Sequence, residues 1–432
     1  MSDPKISSVS KRSANSFYII AITLLVFRIC SYFMLSEEVA ITQLLKIVLR
    51  ISVTFATGVL LSKHIVNSKK EELSISQPLS LVLYLCYFGL GIISLIWTTS
   101  FSDSILHLLM DAETLLFCYL YIKLVLLKQN EPESGIRFSK IAAVSIFLIC
   151  SGFLIGKIIN PEKFYRFTHG GEEARLGGFI INPNELGMII VIGISTTILE
   201  LKQAFNKWTK WAMMLLMLYA LVITGSRSSL IGLLLIILFF VSQSKTRRMQ
   251  VVIVAALCAV APYALHQIFI KQGDVEEVLS LTGRLPFWKD LVTINFPKEP
   301  LLGYGYMRID YTDKFESINS YAGAMTHNTF LQVLMGLGLT GLFIVVVQLA
   351  STIYGIIASD DWNKKRLCIA LLIPVLVNSF TEFGIFGETN YGIMFYLFIV
   401  FTIVLKPSMQ NQRITSTYAN GAGSLLRSSV TA

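Results

Sequence analysis

Charged residues are scarce in this chain: they make up 15% of its 432 residues, whereas ordinary soluble domains carry about a quarter. Hydrophobic residues make up 54%. Apolar runs of about 17–23 residues recur along the whole sequence, and each is long enough to cross the hydrocarbon core of a bilayer as a helix. The composition therefore excludes a string of soluble domains and predicts an all-α polytopic membrane protein.

Sequence signatures of disulfides and metal sites are also missing. No CxxC or HExxH motif occurs. The six cysteines stand singly in apolar segments, at Cys30, Cys86, Cys118, Cys150, Cys258 and Cys368. This pattern predicts neither a disulfide framework nor a metal site. The net charge of +9 does not indicate nucleic-acid binding, because the basic residues sit in short clusters between the apolar runs.

About twelve membrane spans are predicted from the apolar runs, with ends uncertain by a few residues. They cover residues 17–35, 40–62, 79–98, 105–127, 138–157, 184–201, 208–224, 228–243, 249–270, 327–350, 366–383 and 390–406. Lysine and arginine cluster in alternate connections and in segment 1–16, and such clusters mark the cytoplasmic side. We therefore expect both termini to be cytoplasmic, with 1–16 as one tail and 407–432 as a second, disordered tail.

Two longer connections are predicted on the opposite, outer face. They are residues 157–183, after the fifth span, and 271–326, between the ninth and tenth spans. The second connection divides the membrane part into segments 17–270 and 327–406. It is too long for a simple connector, so we expect it to hold short helices of its own.

Four arginines on this outer face have glycine or serine neighbours: Arg175 in EARLGGF, Arg227 in TGSRSSL, Arg284 in TGRLPFW and Arg308 in GYGYMRI. Each could be an ordinary surface arginine or one whose side chain reaches back to the interface. Arg227 lies in a short turn between two spans, and a charge within the membrane costs about 2.5–3.5 kcal/mol and usually has a partner or a function. Because a guanidinium binds phosphate oxygens in a bidentate manner, these arginines indicate a phosphate site.

Polar residues also stand at the outer ends of predicted spans. In the stretch AMTHNTFLQVLMGLGLTGLF, His327 and Asn328 open the tenth span. His327 is either a polar cap or a base that takes a proton from a hydroxyl near neutral pH. Asn182 and Asn184 precede the sixth span and are either helix caps or ligands for sugar hydroxyls or a phosphate. Glu382 could orient an imidazole or pair with an arginine, or have no such partner.

Three glycines follow within the tenth span, at Gly336, Gly338 and Gly341. Small residues in membrane helices allow close packing. We therefore expect these glycines to serve packing rather than chemistry.

The stretches TGSRSSL, TGRLPFW, GYGY and THNTFLQVLMGLGLTG together resemble the O-antigen ligase and polymerase family of bacterial envelope glycosyltransferases. The ligases carry His, then Asn, Ser or Gln, nine residues, Gly, two residues, and Gly, Thr or Tyr. This sequence meets the pattern with His327, Asn328, Gly338 and Gly341. The resemblance extends over roughly residues 150–400, and the first five spans match in hydropathy alone.

The resemblance implies an enzyme of the bacterial inner membrane whose active site faces the periplasm. It also implies a sugar donor carried on undecaprenyl pyrophosphate, and inverting transfer without a metal or cofactor. Arg227 and Arg284 match the family arginines that bind the pyrophosphate, and His327 matches the histidine proposed to activate the acceptor hydroxyl. These three residues are therefore the predicted catalytic set.

Six further residues are predicted to bind substrate: Arg175, Asn182, Asn184, Asn328, Arg308 and Glu382. Arg175 and the stretch 182–184 resemble polymerase-type members more than ligases. The first prediction is therefore a polymerase that joins lipid-linked repeat units into O-antigen or exopolysaccharide. Its partners would be the lipid-linked donor, a glycan or lipid-linked acceptor, membrane lipids and a chain-length regulator.

Two alternatives remain open. A ligase would move the finished glycan onto lipid A-core or another acceptor with the same donor chemistry. A flippase would carry the lipid-linked sugar across the membrane, but transporters are often built from internal repeats, and none is evident here. The unusual residues also gather at the outer face rather than at mid-membrane, which favours an enzyme.

Overall fold

The computed structural model describes residues 4–67, 73–131, 135–168, 173–200, 206–243, 247, 250–251, 284–307, 315 and 326–407. Within these ranges, five helices are long and apolar enough to cross a membrane: Val39–Val66, Leu79–Ile96, Phe101–Asn130, Phe138–Ile159 and Thr329–Ile357. Five shorter apolar helices accompany them: Ala14–Cys30, Pro183–Leu199, Trp208–Thr224, Arg227–Ser242 and Tyr391–Val404. The prediction of an all-α membrane protein is confirmed, whereas the number of spans and their orientation stay predictions.

The elements are numbered here in chain order. The α-helices are α1 (Pro4–Cys30), α2 (Val39–Asn67), α3 (Leu79–Ile93), α4 (Phe101–Asn130), α5 (Phe138–Ile159), α6 (Pro161–Phe164), α7 (Pro183–Leu199), α8 (Lys207–Thr224), α9 (Arg227–Ser242), α10 (Arg284–Asp290), α11 (Thr329–Ile357), α12 (Trp362–Ser379) and α13 (Tyr391–Val404). The antiparallel strand pairs are β1 (Leu73–Ile75) with β4 (Leu405–Pro407), and β2 (Tyr165–Thr168) with β3 (Glu173–Leu176). Short 3₁₀ and π turns cover Ser94–Ile96, Leu291–Asn295 and Phe296–Lys298.

Eleven of the twelve predicted spans coincide with a described helix. The ninth, 249–270, lies almost wholly outside the described residues, as do parts of 271–326 and residues 408–432. The differences concern helix ends: α1 begins at Pro4, within the predicted tail, and α11 continues to Ile357. The described part of 271–326 contains the expected short helices, because α10 and the turns after it lie there.

Helices α7 and α13 form the interior of the bundle. All 14 residues of α13 and 13 of the 17 residues of α7 are buried, and a helix that is apolar on all sides is typical of such a position. Helix α7 packs on α5, α8, α9 and α12, while α13 packs on α3, α4 and α12. Asn182 caps the start of α7 and Asn390 caps the start of α13. The two central helices thus position the loops that carry the candidate residues.

Helix α11 is broken at Gly338, whose φ of +62° and ψ of −161° are not helical. A break frees main-chain groups, and in a membrane each unpaired group costs several kcal/mol. Residues 300–305 pair with these groups through four hydrogen bonds: Leu339 N–H to Pro300 O at 2.9 Å, Thr340 N–H to Leu301 O at 3.2 Å, Tyr304 N–H to Met335 O at 3.0 Å, and Gly305 N–H to Gly336 O at 2.8 Å. The close approach at Gly336 and Gly338 is therefore made by a loop, where we had expected helix packing.

Two buried arginines share one carboxylate between α1, α2 and α4. Glu113 accepts hydrogen bonds from Arg28 Nη1 at 2.6 Å and from Arg50 Nε at 2.9 Å. The hydroxyl of Thr114 accepts from both guanidinium groups. Arg28 is 0% exposed and Arg50 is 3% exposed. Removing one partner from such a group leaves a buried charge uncompensated, so Glu113 fixes the packing of these three helices.

Glu113→Ala is therefore expected to lower the free energy of unfolding by about 3–5 kcal/mol. Glu131→Ala is the matched control, because Glu131 pairs with Lys128 at 2.6 Å but is 34% exposed. Its loss should be at most about 1 kcal/mol. The thermal midpoints of the purified proteins in detergent measure the difference, and equal midpoints for the two variants would contradict the role given to Glu113.

Candidate active site

His327 stands just before α11 in a strained backbone conformation. Its φ is +48°, and a non-glycine residue in this left-handed region costs about 1–3 kcal/mol. Asn328 then caps the helix: its Oδ1 accepts hydrogen bonds from the main-chain N–H of Phe330 at 3.0 Å and of Leu331 at 3.1 Å. Strained residues of this kind persist where the surroundings fix them, and they cluster at functional sites.

Glu382 joins three of the predicted residues through one buried carboxylate. It lies in the loop between α12 and α13 and is 3% exposed. Its Oε2 lies 2.6 Å from His327 Nδ1. Its Oε1 accepts hydrogen bonds from Asn184 Nδ2 at 2.7 Å and from Arg284 Nη2 at 3.2 Å. The sequence left open whether this acid orients an imidazole or pairs with an arginine, and the structure shows both contacts.

The environment of Glu382 favours its ionised form. Burial alone would raise the pKa of its carboxyl. The hydrogen bond and charge of His327, followed by the charge of Arg284 and the hydrogen bond of Asn184, outweigh burial and hold that pKa below its usual value. When His327 is neutral, the carboxylate places its proton on Nδ1 and leaves the lone pair on Nε2.

Arg284 opens α10 at the base of the predicted outer connection. Besides its contact with Glu382, its Nη1 donates to the carbonyl of Thr381 at 2.5 Å. Two successive residues of one loop therefore hold the guanidinium, which remains 19% exposed. A planar guanidinium has five N–H donors, so donors remain for a further partner.

Arg175 and Asn184 extend the same network towards α8 and α9. Arg175, in β3, donates from Nη2 to Asn184 Oδ1 at 2.8 Å and from Nε to the carbonyl of Thr224 at 2.9 Å. Asn182 caps α7, since its Oδ1 accepts from the main-chain N–H of Asn184 at 2.9 Å. Asn182 is thus a helix cap, whereas Asn184 links Arg175 to Glu382.

Arg227 begins α9, directly after the turn at residues 224–226. Arg175 donates a hydrogen bond to the carbonyl of Thr224 in that turn. Gly225 in that turn has a φ of +61°, and a Cβ there would lie 3.3 Å from Arg175 Nε. Ser226 caps the helix through the main-chain N–H of Ser229. Arg227 is half-buried. Because it follows this turn directly, it lies at the same end of the bundle as Arg175.

The structure thus brings together most of the predicted site residues. Direct hydrogen bonds connect His327, Glu382, Arg284, Asn184 and Arg175. Asn182, Asn328 and Arg227 stand at the helix starts beside them. The prediction for Arg308 falls outside the described residues.

Sequence reasoning missed several contacts that hold this region. Trp288 Nε1–H donates to the carbonyl of Thr326 at 2.7 Å. The hydroxyls of Tyr306 and Thr389 both donate to the buried carboxylate of Asp111. Trp288 belongs to the quoted stretch TGRLPFW, so a signal existed. Asp111 lies in a mostly apolar helix and its partners are far away in sequence, so no local pattern could have revealed these contacts.

The site suits a reaction that releases an anion and consumes a hydroxyl proton. Arg175, Arg227 and Arg284 gather at this end of the bundle. Three acids, Glu185, Glu382 and Glu388, lie there as well, and Glu185 interacts electrostatically with the other two. A guanidinium group that stays partly exposed, as that of Arg284 does, can bind phosphate oxygens in a bidentate manner. A base oriented by a third group is the arrangement that activates hydroxyls. Within the described residues, no group of three or more His, Cys, Asp or Glu could hold a metal ion.

Comparison with known proteins identifies a family for part of the chain. Residues 212–346 match the family model described as O-Antigen ligase. This segment contains Arg227, Arg284 and His327. The predicted resemblance to the O-antigen ligase family is confirmed.

One curated relative extends the likeness beyond the matched segment. It is the ComP-specific O-oligosaccharyltransferase of Acinetobacter baylyi, 27% identical over 266 residues, which are 56% of this chain and 47% of that protein. The chain thus spans about half the length of this relative. This similarity supports the resemblance to the O-antigen ligase family.

Glu382→Gln is expected to lower the free energy of unfolding by about 1.5–3 kcal/mol at neutral pH, because a glutamine NH₂ would face donors of Asn184, Arg284 and His327. The folded-state pKa of Glu382 lies below the usual 4.5. Its stabilising effect is therefore present above that pH and is lost as the pH falls through the folded-state pKa.

The measurement is the thermal midpoint of variant and wild type as a function of pH. The difference between them should shrink in acid, and a difference that stays constant down to strongly acidic pH would contradict the ionic role of Glu382. Glu299→Gln, at an exposed position, serves as the control.

Proposed function

We propose that this protein is a glycosyltransferase that moves a glycan from a polyprenyl-pyrophosphate carrier to an acceptor hydroxyl at the periplasmic face of the bacterial inner membrane. The observation that carries the proposal is the Glu382 carboxylate, which contacts both His327 and Arg284. These contacts join a candidate base and an anion-binding cation in one site. The match to the O-antigen ligase family model and the oligosaccharyltransferase relative support the same reaction class.

The arginines would act on the donor. Arg284 and Arg227 bind the pyrophosphate, and Arg175 adds positive charge beside them. When the bond between the anomeric carbon and the pyrophosphate oxygen breaks, negative charge grows on that oxygen. Fixed guanidinium groups stabilise this charge, and removal of one such donor typically costs about 2.7–4 kcal/mol in the transition state.

His327 would act on the acceptor. Its Nε2 takes the proton of the acceptor hydroxyl as the oxygen attacks the anomeric carbon from the face opposite the leaving pyrophosphate, so the configuration inverts. The resulting imidazolium carries its positive charge 2.6 Å from the Glu382 carboxylate. Glu382 is thus a positioning residue, because it holds the imidazole and stabilises the protonated ring without touching the substrate.

Within this class we propose a polymerase as the first candidate. Its acceptor would be a second undecaprenyl-pyrophosphate-linked repeat unit, and a chain-length regulator would be a further partner. Arg175 and the 182–184 stretch, which resemble polymerase-type members, belong to the observed hydrogen-bond network. The second candidate is a ligase acting on lipid A-core or another acceptor, and the description of the matched family model favours it.

His327→Ala is expected to lower the transfer rate by about 10²–10⁴-fold, the usual contribution of a general base. Arg284→Ala should lower kcat/KM by about 10²–10³-fold through lost charge stabilisation. The assay uses purified protein in vesicles with lipid-linked oligosaccharide and follows covalent product. His64→Ala and Arg366→Ala are matched controls at α2 and α12, away from the Glu382 network. Wild-type rates in His327→Ala and Arg284→Ala would contradict the proposal.

The products distinguish the two candidates. A polymerase supplied with lipid-linked repeat units alone should give a ladder of longer lipid-linked glycans. A ligase should give no ladder and should form product only when lipid A-core or another acceptor is added. Movement of the lipid-linked unit across the bilayer with no covalent product under either condition would contradict both and support a flippase.

A further inference from the structure

Arg284 and His327 lie on segments far apart in sequence, yet their contacts to one carboxylate require a fixed separation. Arg284 belongs to α10, and His327 immediately precedes the first part of α11, residues 329–337. A misplacement of about 1 Å in a catalytic group can cost about 10²-fold in rate. Two parts of the chain hold these two segments together.

The loop 300–305 is one such part. It follows α10 in the chain and is inserted at the break of α11, where four main-chain hydrogen bonds of 2.8–3.2 Å attach it. Two of these bonds reach Met335 and Gly336 before the break, and two reach Leu339 and Thr340 after it. The loop therefore fixes both parts of α11 relative to the segment that begins with Arg284.

Glycine is required on both sides of this contact. A Cβ on Gly338 would lie 2.3 Å from the carbonyl carbon of Leu301, and a Cβ on Gly303 would lie 2.6 Å from that of Gly336. The opposing atoms are main chain, so they cannot turn away as a flexible side chain could. Both glycines also have positive φ values, +62° and +65°, which side chains rarely adopt.

A second attachment joins α10 directly to the residue before His327. Trp288 Nε1–H donates to the carbonyl of Thr326 at 2.7 Å. Beneath it, Phe287 and Leu291 share a small apolar cluster with Met335 and with Tyr304 of the loop. The first part of α11 is thus held at its start by Trp288 and near its end by the loop.

We propose that Gly338 and Trp288 are positioning residues, which set the place of His327 relative to Arg284 through the loop 300–305 and the Thr326 carbonyl. The proposal rests on the proposed function, since it assigns these residues to the transfer step. It also gives the first glycine of the motif, eleven residues after His327, a physical role. Neither residue touches substrate.

The first test compares Gly338→Ala with Gly152→Ala. Gly152 is a matched control, because it lies in helix α5 and a Cβ there would meet nothing within 4 Å. Gly338→Ala should lower kcat by about 10²-fold through displacement of His327. The donor KM should change by less than about threefold, because the arginines that bind the donor stay on their own segments. Gly152→Ala should match wild type in both constants.

A second readout does not depend on activity. The amides of Leu339 and Thr340 should exchange slowly with deuterium in wild type, because they are bonded to Pro300 and Leu301. In Gly338→Ala their exchange should accelerate, while exchange in the core helix α13 stays unchanged. This pattern would show that the loop has detached and that the bundle remains folded.

Trp288→Phe is the second variant, should Gly338→Ala fail to fold. It keeps an aromatic ring in the apolar cluster and removes only the hydrogen bond to Thr326. The kcat should fall by about tenfold, the equivalent of one ordinary hydrogen bond, with the donor KM unchanged. Trp211→Phe, at an exposed position in α8, is the control.

The outcomes separate this proposal from the proposed function. Accelerated exchange at residues 339–340 together with wild-type kcat would overturn the positioning role alone. Unchanged kcat in a folded Trp288→Phe would also overturn it. A wild-type protein that forms no covalent product with either acceptor would overturn the proposed function, and the positioning role with it.

Discussion

The contact on which the candidate site depends is the buried carboxylate of Glu382 with its three donors. His327, Arg284 and Asn184 come from three distant parts of the chain. His327 contacts Oε2 of this carboxylate, and Arg284 and Asn184 donate to Oε1. A buried charge is tolerated only when its partners and hydrogen bonds are complete. The buried carboxylate therefore depends on its donors, and it is the one group that all three of them share.

The surrounding helices support the loop between α12 and α13, which carries Glu382. The central helices α7 and α13 begin beside it, and their burial on all sides leaves their starting points little freedom. At the break in α11, the loop 300–305 is inserted into the helix, and its main chain pairs with the main-chain groups on both sides of the break. Irregular backbone of this kind is tolerated in a membrane protein only where protein or an aqueous cavity surrounds it.

The sequence predicted the helices and most of the candidate residues for one physical reason. A long apolar run predicts a membrane helix, and a charged residue or a histidine at the end of such a run is easily recognised as an exception. The role of Glu382 was less accessible, because its partners lie at 184, 284 and 327 and their meeting depends on tertiary packing. Gly338 was expected to serve helix packing, yet its positive φ and the approach of Leu301 are properties of the folded backbone. Trp288 belongs to the stretch TGRLPFW. Its acceptor is the main-chain carbonyl of Thr326, and a main-chain contact cannot be predicted from residue types.

Two arginine–carboxylate centres in this chain have similar chemistry and different accessibility. At Glu113 the arginines are 0% and 3% exposed and their donors are directed at neighbouring helices. At Glu382 the exposure is reversed: its carboxylate side chain is 4% exposed, against 18% for Glu113, whereas His327 is 20% exposed and Arg284 is 19% exposed. Arginines that are enclosed as Arg28 and Arg50 are can stabilise or orient helices, but no anion can reach them. A centre whose acid is buried and whose cations are accessible can bind an anion without losing its own structure. This difference in exposure, rather than the residue types, makes the Glu382 centre the candidate for catalysis.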